Sequence, residues 1–313
     1  MARINALQLV TTRRSFFDQQ IRALEKKGVE CTVLEVPRSA DGRGPAEFAR
    51  FYREALREAL TGEYDLLHAN YGLIGPFALS LPIRPVVLSL WGSEVMGYSN
   101  RLDRVTRLSA RRSDAIIAPS KAVSRELDCP HTEIPFGVDT ELFHPMSQET
   151  AREYLGWEQE KRLILFPYNP NRAVKNYPLA ERIVERLSVD AELRTVSGLA
   201  YEEMPYVMNA CDALLVTSER ESGPMVIKEA AACNLPVVST DVGFAYDVLR
   251  DVSNCFVGQS TIDLVRDLDS VLKHGQRADG RAVIDELGLD EMGERILTLY
   301  TTILRLSDSH TYF

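Results

Sequence analysis

The sequence predicts an α/β protein that is built from two Rossmann-like domains. The chain has 313 residues, a length that corresponds to about two domains. From Ile4 onward a strand, a loop, a helix, a glycine and a second strand follow one another, and a strand-loop-helix order begins again at Arg162. Such alternation is typical of parallel sheets that are covered by helices.

The composition is that of a globular protein. Hydrophobic residues make up 45% of the chain, and no apolar run approaches the roughly 20 residues that a membrane-spanning helix needs. The first residues, MARINALQLVTTRR, contain no secretory h-region, so we expect a cytoplasmic protein. The five cysteines lie singly without a C-x-x-C pair, which argues against a disulfide framework and against a zinc site.

The net charge of −9 is unevenly distributed. Up to Phe143 the chain has 19 Lys and Arg against 18 Asp and Glu, whereas the remainder has 17 against 27. An acidic second half argues against nucleic acid binding as the main function.

The first loop of the chain carries two adjacent arginines. It follows the apolar, β-like stretch Ile4–Val10 and precedes Ser15, a candidate N-cap of the first helix. Arg13 and Arg14 in this loop could hold a phosphate or an anionic acceptor. They could equally form a solvated turn.

The segment Tyr64–Gly75 reads as a short buried strand that runs into a glycine-containing loop. It carries His68 and Asn70. A histidine at a strand end is more often structural than functional, but both residues are candidates for ligand contact. The amide of Asn70 could hydrogen-bond a polar group of a ligand, although it cannot hold a charge as a histidine can.

A second buried strand, within Pro85–Val95, breaks at Gly92. Open α/β sheets bind ligands outside the carboxyl ends of their strands. We therefore expect Gly92 and Ser93 to line a cleft, with Glu94 as a candidate acceptor contact.

Arginines recur at helical spacing between residues 101 and 112. The stripe consists of Arg101, Arg104, Arg107, Arg111 and Arg112. It could lie on an anionic membrane surface, which would place the protein peripherally at the inner membrane face, or it could be an ordinary solvated helix face.

The second half restarts the pattern with a strand, a loop and a helix over Arg162–Ala180. Lys175 lies near the start of that helix, and Arg172 precedes it by three residues. Two cations so placed could stabilise the phosphates of a departing diphosphate without a metal, or they could lie in a plain surface loop. No metal site is expected, because the one Asp-Leu-Asp sequence lies in a segment with a helical pattern.

The stretch 218–243 carries the strongest functional signal. A proline suits the first turn of its helix, and Ser222 or Gly223 can cap that helix. The next two amides, on Met225 and Val226, then have no intrahelical partner and lie at the positive end of the helix dipole. They form a ready anion site.

Two carboxylates frame this anion site. Glu221 precedes the helix, and Glu229 lies about a turn and a half inside it, so their carboxyls are expected on the order of 10 Å apart along one ligand. One could reach the far side of a diphosphate while the other reaches a ribose. The alternative is a βαβ unit with two surface glutamates.

The stretch as a whole resembles the signature of the retaining GT-B glycosyltransferases of family 4. In that family an E-x7-E pair brackets a nucleotide-sugar and is followed by EA-x-A-x-G-x-PVV. This chain reads EAAACNLPVVSTDVG, with Asn234 where a glycine is commoner. The segment EIPFGVD also resembles the family's IPNGVD, with Phe136 in place of Asn, and the loop around Lys175 resembles a variant donor loop, P-x-R-x-x-KN.

The resemblance implies two domains that face each other across a cleft: residues 1–143 for the acceptor, 144–298 for the donor, and a tail, 299–313, that packs back on the first domain. It implies transfer of a hexose-type sugar, with retention, from a UDP- or GDP-linked donor. The acceptor would be a glycan, a lipid-linked molecule or a small molecule, as in the synthesis of surface polysaccharides or glycoconjugates. No cofactor beyond the donor is expected.

The resemblance also assigns roles to residues. Glu221 would contact the sugar and Glu229 the ribose, while the backbone around Gly198 and Leu199 would meet the base. The diphosphate would be held by cations and amides, namely Arg172, Lys175, Met225 and Val226, beside the loop residues Ser222 and Gly223.

The chain departs from the family in its first half. Glycines are missing from the first loop, Asn70 stands where the family has a second histidine, and Trp91 and Glu94 replace a His and an Asp. The catalytic-loop residue could therefore be His68 or Asn70. These departures leave a catalytically inactive GT-B-like binding subunit open, and a GT-B phosphorylase or epimerase is a further alternative.

Overall fold

The computed structural model describes residues 3–40, 42–97, 99–196 and 199–310. The chain divides into two compact units. Unit 1 comprises Met1–Gly137 and Leu289–Phe313, and unit 2 comprises Val138–Gly288.

Unit 1 is built on a parallel six-stranded sheet with the order β2-β1-β3-β4-β5-β6. Its strands are β1 (Ile4–Val10), β2 (Val29–Glu35), β3 (Leu66–Asn70), β4 (Val86–Ser89), β5 (Ala115–Ala118) and β6 (Thr132–Glu133). The helices between them are α1 (Ser15–Lys26), α2 (Pro45–Thr61), α3 (Gly75–Ser80), α4 (Asn100–Ala110) and α5 (Lys121–Ser124). Since β1 lies between β2 and β3, the order of the strands reverses between β1 and β3. Ligands bind at such a switch point, outside the carboxyl ends of the strands.

Unit 2 repeats this topology with five parallel strands in the order β8-β7-β9-β10-β11. The strands are β7 (Leu163–Phe166), β8 (Glu192–Thr195), β9 (Ala213–Val216), β10 (Val237–Thr240) and β11 (Phe256–Gly258). The helices are α6 (Gln148–Leu155), α7 (Tyr177–Val184), α8 (Met204–Ala210), α9 (Met225–Ala232), α10 (Ala245–Leu249), α11 (Thr261–His274) and α12 (Arg281–Ile284). Its switch point lies between β7 and β9.

The last helix, α13 (Leu289–His310), belongs to unit 1. Met292, Ile296 and Tyr300 form a buried stripe at helical spacing that packs in the same core cluster as Ala6 and Leu66. The sequence placed the returning tail at 299–313. The structure assigns the whole helix from Leu289 to unit 1, because the helix runs unbroken over 22 residues.

The border between the two units lies earlier than the expected position after residue 143. Val138 and Phe143 are both fully buried in the core of unit 2 together with Leu214 and Ile227. The border therefore falls at Gly137. In the part of the chain that the structure describes, no helix is both long and apolar enough to cross a membrane.

Candidate active site

Two of the predicted site residues, Lys175 and Glu221, meet at the switch point of unit 2. β7 ends at Phe166 and β9 ends at Val216. The loop after β7 carries Lys175, and the loop after β9 carries Glu221. The ammonium group of Lys175 donates a hydrogen bond to the carboxylate of Glu221. Two residues that are 46 positions apart in the sequence are thus brought together at the ligand-binding edge of the sheet.

The backbone around Lys175 is held in place by the end of β9. Lys175 closes a 3-10 turn, Ala173–Lys175, and Asn176 then adopts a positive φ of 54° before α7 begins. The hydroxyl of Thr217 donates to the carbonyl oxygens of Lys175 and Asn176, at 3.0 Å each. The position of the ammonium is therefore set by the sheet rather than by a free loop.

The charges at this position are largely removed from water. The side chain of Lys175 is 6% exposed and that of Glu221 16%. The ammonium also lies 3.8 Å from the centroid of the Tyr168 ring, a cation–π contact. Burial lowers the pKa of Lys175, and the neighbouring Glu221 carboxylate opposes that effect.

Glu221 and Arg172 complete the charged group. The hydroxyl of Ser218 donates to the Glu221 carboxylate at 2.9 Å. Arg172 is exposed at the start of the same 3-10 turn, and its positive charge further lowers the pKa of Lys175. The structure thus brings the predicted Lys-Arg pair together. Tyr168, which sequence reasoning missed, lies seven residues before Lys175 in the same loop.

Helix α9 begins at Met225, one residue later than expected, because the sequence analysis placed Pro224 in the first turn of the helix. Pro224 is itself the N-cap, with φ −72° and ψ 98°, and no side chain caps the helix. Neither Ser222 nor Gly223 has that role, because proline's fixed φ suits the extended residue that leads into the helix. The amides of Met225 and Val226 precede the first bond of this turn, from Ile227 N to Pro224 O at 3.0 Å.

Gly223 is required by packing. A Cβ atom at this position would lie 2.6 Å from a ring carbon of Phe244, closer than real carbon atoms approach. Phe244 in turn lies 4.6 Å from the ammonium of the buried Lys228 in α9. The loop before the helix therefore sits directly on a ring from the segment after β10.

Glu229 lies on the second turn of α9 and is 7% exposed. The hydroxyl of Tyr201 donates to its carboxylate at 2.7 Å. Burial raises the pKa of Glu229 to about 7. Tyr201 follows the predicted base-binding loop by two residues, where Leu199 is 39% exposed. Gly198 lies outside the described residues.

In unit 1, His68 and Asn70 are fully buried. The amide of Asn70 donates to Gln8 at 3.0 Å and accepts from Gln20 at 3.0 Å. Asn70 is thereby engaged with the neighbouring strand β1 and with α1. The structure places it in the interior of unit 1 and not at a ligand surface.

The ring of His68 is engaged at both nitrogens. Nδ1 lies 2.5 Å from the hydroxyl of Tyr300, and Nε2 lies 2.7 Å from the hydroxyl of Ser89. The amide of Gln8 also donates to the Tyr300 hydroxyl at 3.1 Å, so this hydroxyl links Gln8 to His68. Burial lowers the pKa of His68 to about 3, which keeps the ring neutral. Such a histidine joins α13 to the sheet and has no nitrogen left for a ligand.

The loop after β4 is held by Glu94. Gly92 has a positive φ of 107°, and Glu94 accepts from the backbone N–H groups of Trp91 at 2.8 Å and Gly72 at 3.2 Å. The carboxyl is 1% exposed, and burial raises its pKa to about 7. Glu94 thus joins the loops after β3 and β4, while Ser93 lies nearer the surface with its hydroxyl 3.2 Å from that of Tyr71.

The two arginines of the first loop differ in their surroundings. The guanidinium of Arg13 pairs with Asp18 at 2.7 Å. Arg14 is exposed and is the N-cap of α1, a role that the sequence assigned to Ser15. The difference is one residue and reflects the extended backbone of Arg14 (φ −130°, ψ 157°).

Four aromatic rings that sequence reasoning did not connect meet at the carboxyl edge of the same sheet. Phe16 lies 4.8 Å from Trp91 and 4.5 Å from Phe136 between ring centroids, and Tyr71 lies 5.5 Å from Trp91. We call Phe16, Tyr71, Trp91 and Phe136 the aromatic platform. One indication of this cluster was present in the sequence: Trp91 and Phe136 both replace residues that are usual in the family motifs.

Three arginines of the stripe, Arg101, Arg104 and Arg107, lie on α4, while Arg111 is the C-cap of the helix and Arg112 follows it. Arg107 pairs with Asp103 at 2.7 Å, and Arg111 pairs with Asp128 at 2.5 Å. Arg101 and Arg104 are exposed on the outer face, which also carries Val105 and Leu108, 37% and 54% exposed. Among the residues that the structure describes, no group of three or more His, Cys, Asp or Glu could hold a metal ion.

Comparison with known families agrees with this geometry. The model of the glycosyl transferases group 1 matches residues 177–282, which include α9 and both carboxylates. The model of the glycosyl transferase 4-like domain matches residues 7–131 of unit 1. Between them the two glycosyltransferase models match both units of the chain. The chain is a glycosyltransferase enzyme.

Relatives with assigned activities are distant from this glycosyltransferase. The D-inositol 3-phosphate glycosyltransferase of Mycobacterium sp. (strain JLS) is 23% identical, over 77% of this chain and 67% of that protein. The N-acetyl-alpha-D-glucosaminyl L-malate synthase of Bacillus anthracis is 21% identical, over 77% of this chain and 75% of that protein. Across such alignments the chain spans from 54% to 75% of the relative's own length.

Solved structures confirm the GT-B fold of this glycosyltransferase. Sucrose-phosphate synthase from Thermosynechococcus elongatus superposes with a TM-score of 0.83 at 16% identity, over 97% of this chain and 100% of that chain. Anabaena HepE, crystallised in complex with UDP, gives a TM-score of 0.78 at 16% identity, over 96% of this chain and 100% of that chain.

Proposed function

We propose that this glycosyltransferase moves a hexose-type sugar, with retention, from a nucleotide diphosphate donor to an acceptor that unit 1 holds. The contact of Lys175 with Glu221 at the switch point of unit 2 carries the proposal. Open α/β sheets bind nucleotides at that point, and a buried cation beside a helix start is suited to a diphosphate.

In this proposal the diphosphate lies against Lys175, Arg172 and the amides of Met225 and Val226. These groups stabilise the negative charge that develops on the departing phosphates. Glu229 accepts hydrogen bonds from ribose hydroxyls, with Tyr201 fixing the orientation of its carboxylate. Glu221 contacts the sugar and stabilises the positive charge of an oxocarbenium-like transition state. Catalysis then rests on positioning and electrostatics, with the nucleotide-sugar as the only co-substrate.

The nature of the donor is supported by a structural neighbour. Anabaena HepE was crystallised with UDP and with UDP and glucose. A uridine diphosphate sugar is therefore the first donor to test, and a GDP-sugar is the second.

The nature of the acceptor is supported by helix α4. Its outer face combines the exposed Arg101 and Arg104 with the exposed aliphatic Val105 and Leu108. Cations beside aliphatic side chains suit an anionic membrane surface. We propose a glycan or lipid-linked acceptor that is reached at such a surface.

The donor proposal is tested by nucleotide release from a panel of UDP- and GDP-sugars, comparing the wild type with Glu221→Ala. The true donor should also stabilise the folded protein by mass action, by about 2.7 kcal/mol when its concentration is a hundred times its dissociation constant. This stabilisation should raise the melting temperature. Unchanged release in Glu221→Ala would remove this residue from the mechanism. The anomeric configuration of the product, read by NMR, tests retention.

The membrane proposal is tested by sedimentation with vesicles that contain phosphatidylglycerol, with neutral phosphatidylcholine vesicles as the reference. Arg101→Glu/Arg104→Glu should lose binding to the anionic vesicles. The matched control reverses two exposed arginines of α2, Arg53→Glu/Arg57→Glu, and should bind as the wild type does. Equal loss in both variants would point to net charge and not to α4.

A further inference from the structure

The aromatic platform lies where unit 1 is expected to bind a ligand. Its rings come from the loops and turns that follow four strands: Phe16 after β1, Tyr71 after β3, Trp91 after β4 and Phe136 after β6. The switch point lies between the carboxyl ends of β1 and β3. The rings therefore converge on the ligand-binding edge of this sheet.

All four rings are half-buried. Phe16 and Trp91 rest on a fully packed base formed by Val10, Phe17 and Ile21. A ring that is packed from below and open above offers a rigid apolar face to a ligand, because it loses little conformational freedom on binding.

Tyr71 gives independent support for a ligand site. It is a non-glycine residue with φ 90°, a backbone conformation that side-chain-bearing residues rarely adopt. The surrounding structure enforces this conformation through the bond from Tyr71 N to Ser89 O at 2.9 Å and through the contact of its hydroxyl with Ser93 at 3.2 Å. Strained residues of this kind concentrate at ligand sites and active sites.

We propose that the aromatic platform binds a pyranose ring of the acceptor, and that Tyr71 and Ser93 select it by its hydroxyl groups. This inference rests on the proposed function, because it names the acceptor class of the same enzyme. A pyranose presents a flat face of C–H bonds that stacks on aromatic rings, and its hydroxyls lie at the rim. The paired hydroxyls of Tyr71 and Ser93 lie beside Trp91, at the rim of the platform.

The surroundings favour a neutral ring over an anion or an alkyl chain. The guanidinium of Arg13 is already paired with Asp18, so its charge is largely compensated. A buried acid, Glu94, lies directly behind the loop that carries Trp91. An alkyl chain would leave the hydroxyls of Tyr71 and Ser93 without a new partner while covering them from water.

The platform can be followed by its own fluorescence. The chain has two tryptophans, and Trp157 lies in unit 2 against Arg194. The variant Trp157→Phe keeps a ring at that position and leaves Trp91 as the single tryptophan. Titrating it with methyl α-D-glucopyranoside and other methyl pyranosides should shift Trp91 emission saturably, with dissociation constants in the range of about 1–10 mM for a single stacked ring. Octanol and inorganic phosphate are the comparison probes for an alkyl chain and an anion.

Two further variants in the Trp157→Phe background test the assignment. Tyr71→Phe keeps the ring and removes the hydroxyl, and Phe136→Asn removes one ring of the platform; each should weaken pyranoside binding by about threefold to tenfold. Tyr154→Ala removes an aromatic ring that is stacked on Tyr206 in unit 2, and it should leave pyranoside binding unchanged. Circular dichroism confirms that each variant is folded.

Several outcomes would overturn the inference: no response to any pyranoside, a response to octanol or phosphate alone, or equal binding in the wild type and in both platform variants. The failure of the proposed function is distinguishable from these. Nucleotide release without pyranoside binding would reject the platform alone. Pyranoside binding without release from any nucleotide-sugar would reject the donor proposal and retain the platform.

Discussion

The carboxyl edges of the two sheets can be compared strand by strand, because β1, β3 and β4 hold the same places in unit 1 as β7, β9 and β10 in unit 2. After β7 and β9 come Lys175 and Glu221, an ion pair in which Lys175 is buried and Glu221 is half-buried. After β1 and β3 come Phe16 and Tyr71, two members of the aromatic platform. The shared topology fixes where a ligand binds, and the loop residues then decide which chemistry it meets.

The comparison extends below the surface. In unit 1 the strand end is filled by a satisfied polar network that includes Gln8, His68 and Asn70. In unit 2 the corresponding strand β9 is wholly apolar, Ala213–Val216, and the polar groups come from the loop that follows. Polar groups within a buried strand form hydrogen bonds with other buried groups of the protein, whereas polar groups in the loop remain near the surface.

The largest effect on activity is expected when the charge of Lys175 at the switch point of unit 2 is removed. Lys175→Met should lower kcat/KM for the donor by about 100- to 1000-fold, because it removes a preorganised cation from the departing phosphates. Nucleotide release measures this. The exposed Lys161 of unit 2 gives the matched control, Lys161→Met, which should retain activity. A fully active Lys175→Met variant would contradict the assignment of donor binding to this switch point.

A double-mutant cycle sharpens the same prediction. Lys175 and Glu221 contact each other, so Lys175→Met/Glu221→Gln should lose less activity than the product of the two single losses. Strict additivity would indicate that the two groups act independently.

The next effect compares two buried acids, Glu229 of unit 2 and Glu94 of unit 1. Burial raises each pKa to about 7. In the unfolded chain a glutamate has a pKa near 4.3, so between this pH and about 7 the folded state binds more protons than the unfolded state. The contribution of each protonated carboxyl to the free energy of unfolding is therefore complete below about pH 4 and is lost as the pH rises through 7. Glu229→Gln and Glu94→Gln should each be more stable than wild type at pH 8, by up to about 3 kcal/mol, with no gain at pH 4.

The two variants should differ in donor binding. Glu229→Gln should weaken it about tenfold, since the amide replaces a charged acceptor for ribose hydroxyls. Glu94→Gln should leave it unchanged, because Glu94 bonds only the loops of unit 1. Urea unfolding at both pH values and calorimetric titration with UDP measure the two properties. Weaker UDP binding in Glu94→Gln would contradict the separation of the two sites.

The buried network of unit 1 provides a smaller effect. Tyr300→Phe removes the hydroxyl that joins His68 and Gln8, and it should destabilise the protein by about 1–3 kcal/mol, because their polar atoms lose a buried partner. Nucleotide release under folded conditions should not change. Tyr154→Phe, at a 55% exposed position, is the matched control in urea unfolding. Equal stability of the two variants would remove the network as a link between α13 and the sheet.

The sequence predicted the fold class correctly, whereas the contact between Lys175 and Glu221 emerged only from the structure. Alternating strands and helices follow from local patterns, and Lys175 and Glu221 each lie in a contiguous motif that singled them out as candidates. The predicted helix caps were wrong. The N-cap of α9 is Pro224 and not Ser222 or Gly223. The N-cap of α1 is Arg14 and not Ser15. Such differences of one or two residues depend on backbone angles that a sequence pattern does not specify.

The roles of His68 and the aromatic platform could not be predicted in the same way. The partner of His68 is Tyr300, 232 positions away, and a sequence pattern carries no information about that contact. The platform joins residues from the first turn of α1 and from three separate loops, and only Trp91 and Phe136 stood out as departures from the family motifs. Burial decides between a catalytic and a structural histidine, and burial here depends on α13.

Variants of Asn234 test whether a departure from the family motif in unit 2 is structural, as it is for Asn70 and Glu94 in unit 1. Asn234 has a positive φ of 54° after α9, where the family more often has glycine, and its side chain accepts from Arg281 N at 2.9 Å. Asn234→Gly relieves the backbone but loses this bond, so the net change should stay below about 1 kcal/mol. Asn234→Ala keeps the strain and also loses the bond, and it should cost about 1–2 kcal/mol. In urea unfolding, the free energy of unfolding should be highest or equal highest for the wild type, lower or equal for the glycine variant and lowest for the alanine variant. Nucleotide release should be unchanged in both variants. An alanine variant as stable as the wild type would show that the side chain does not hold this turn.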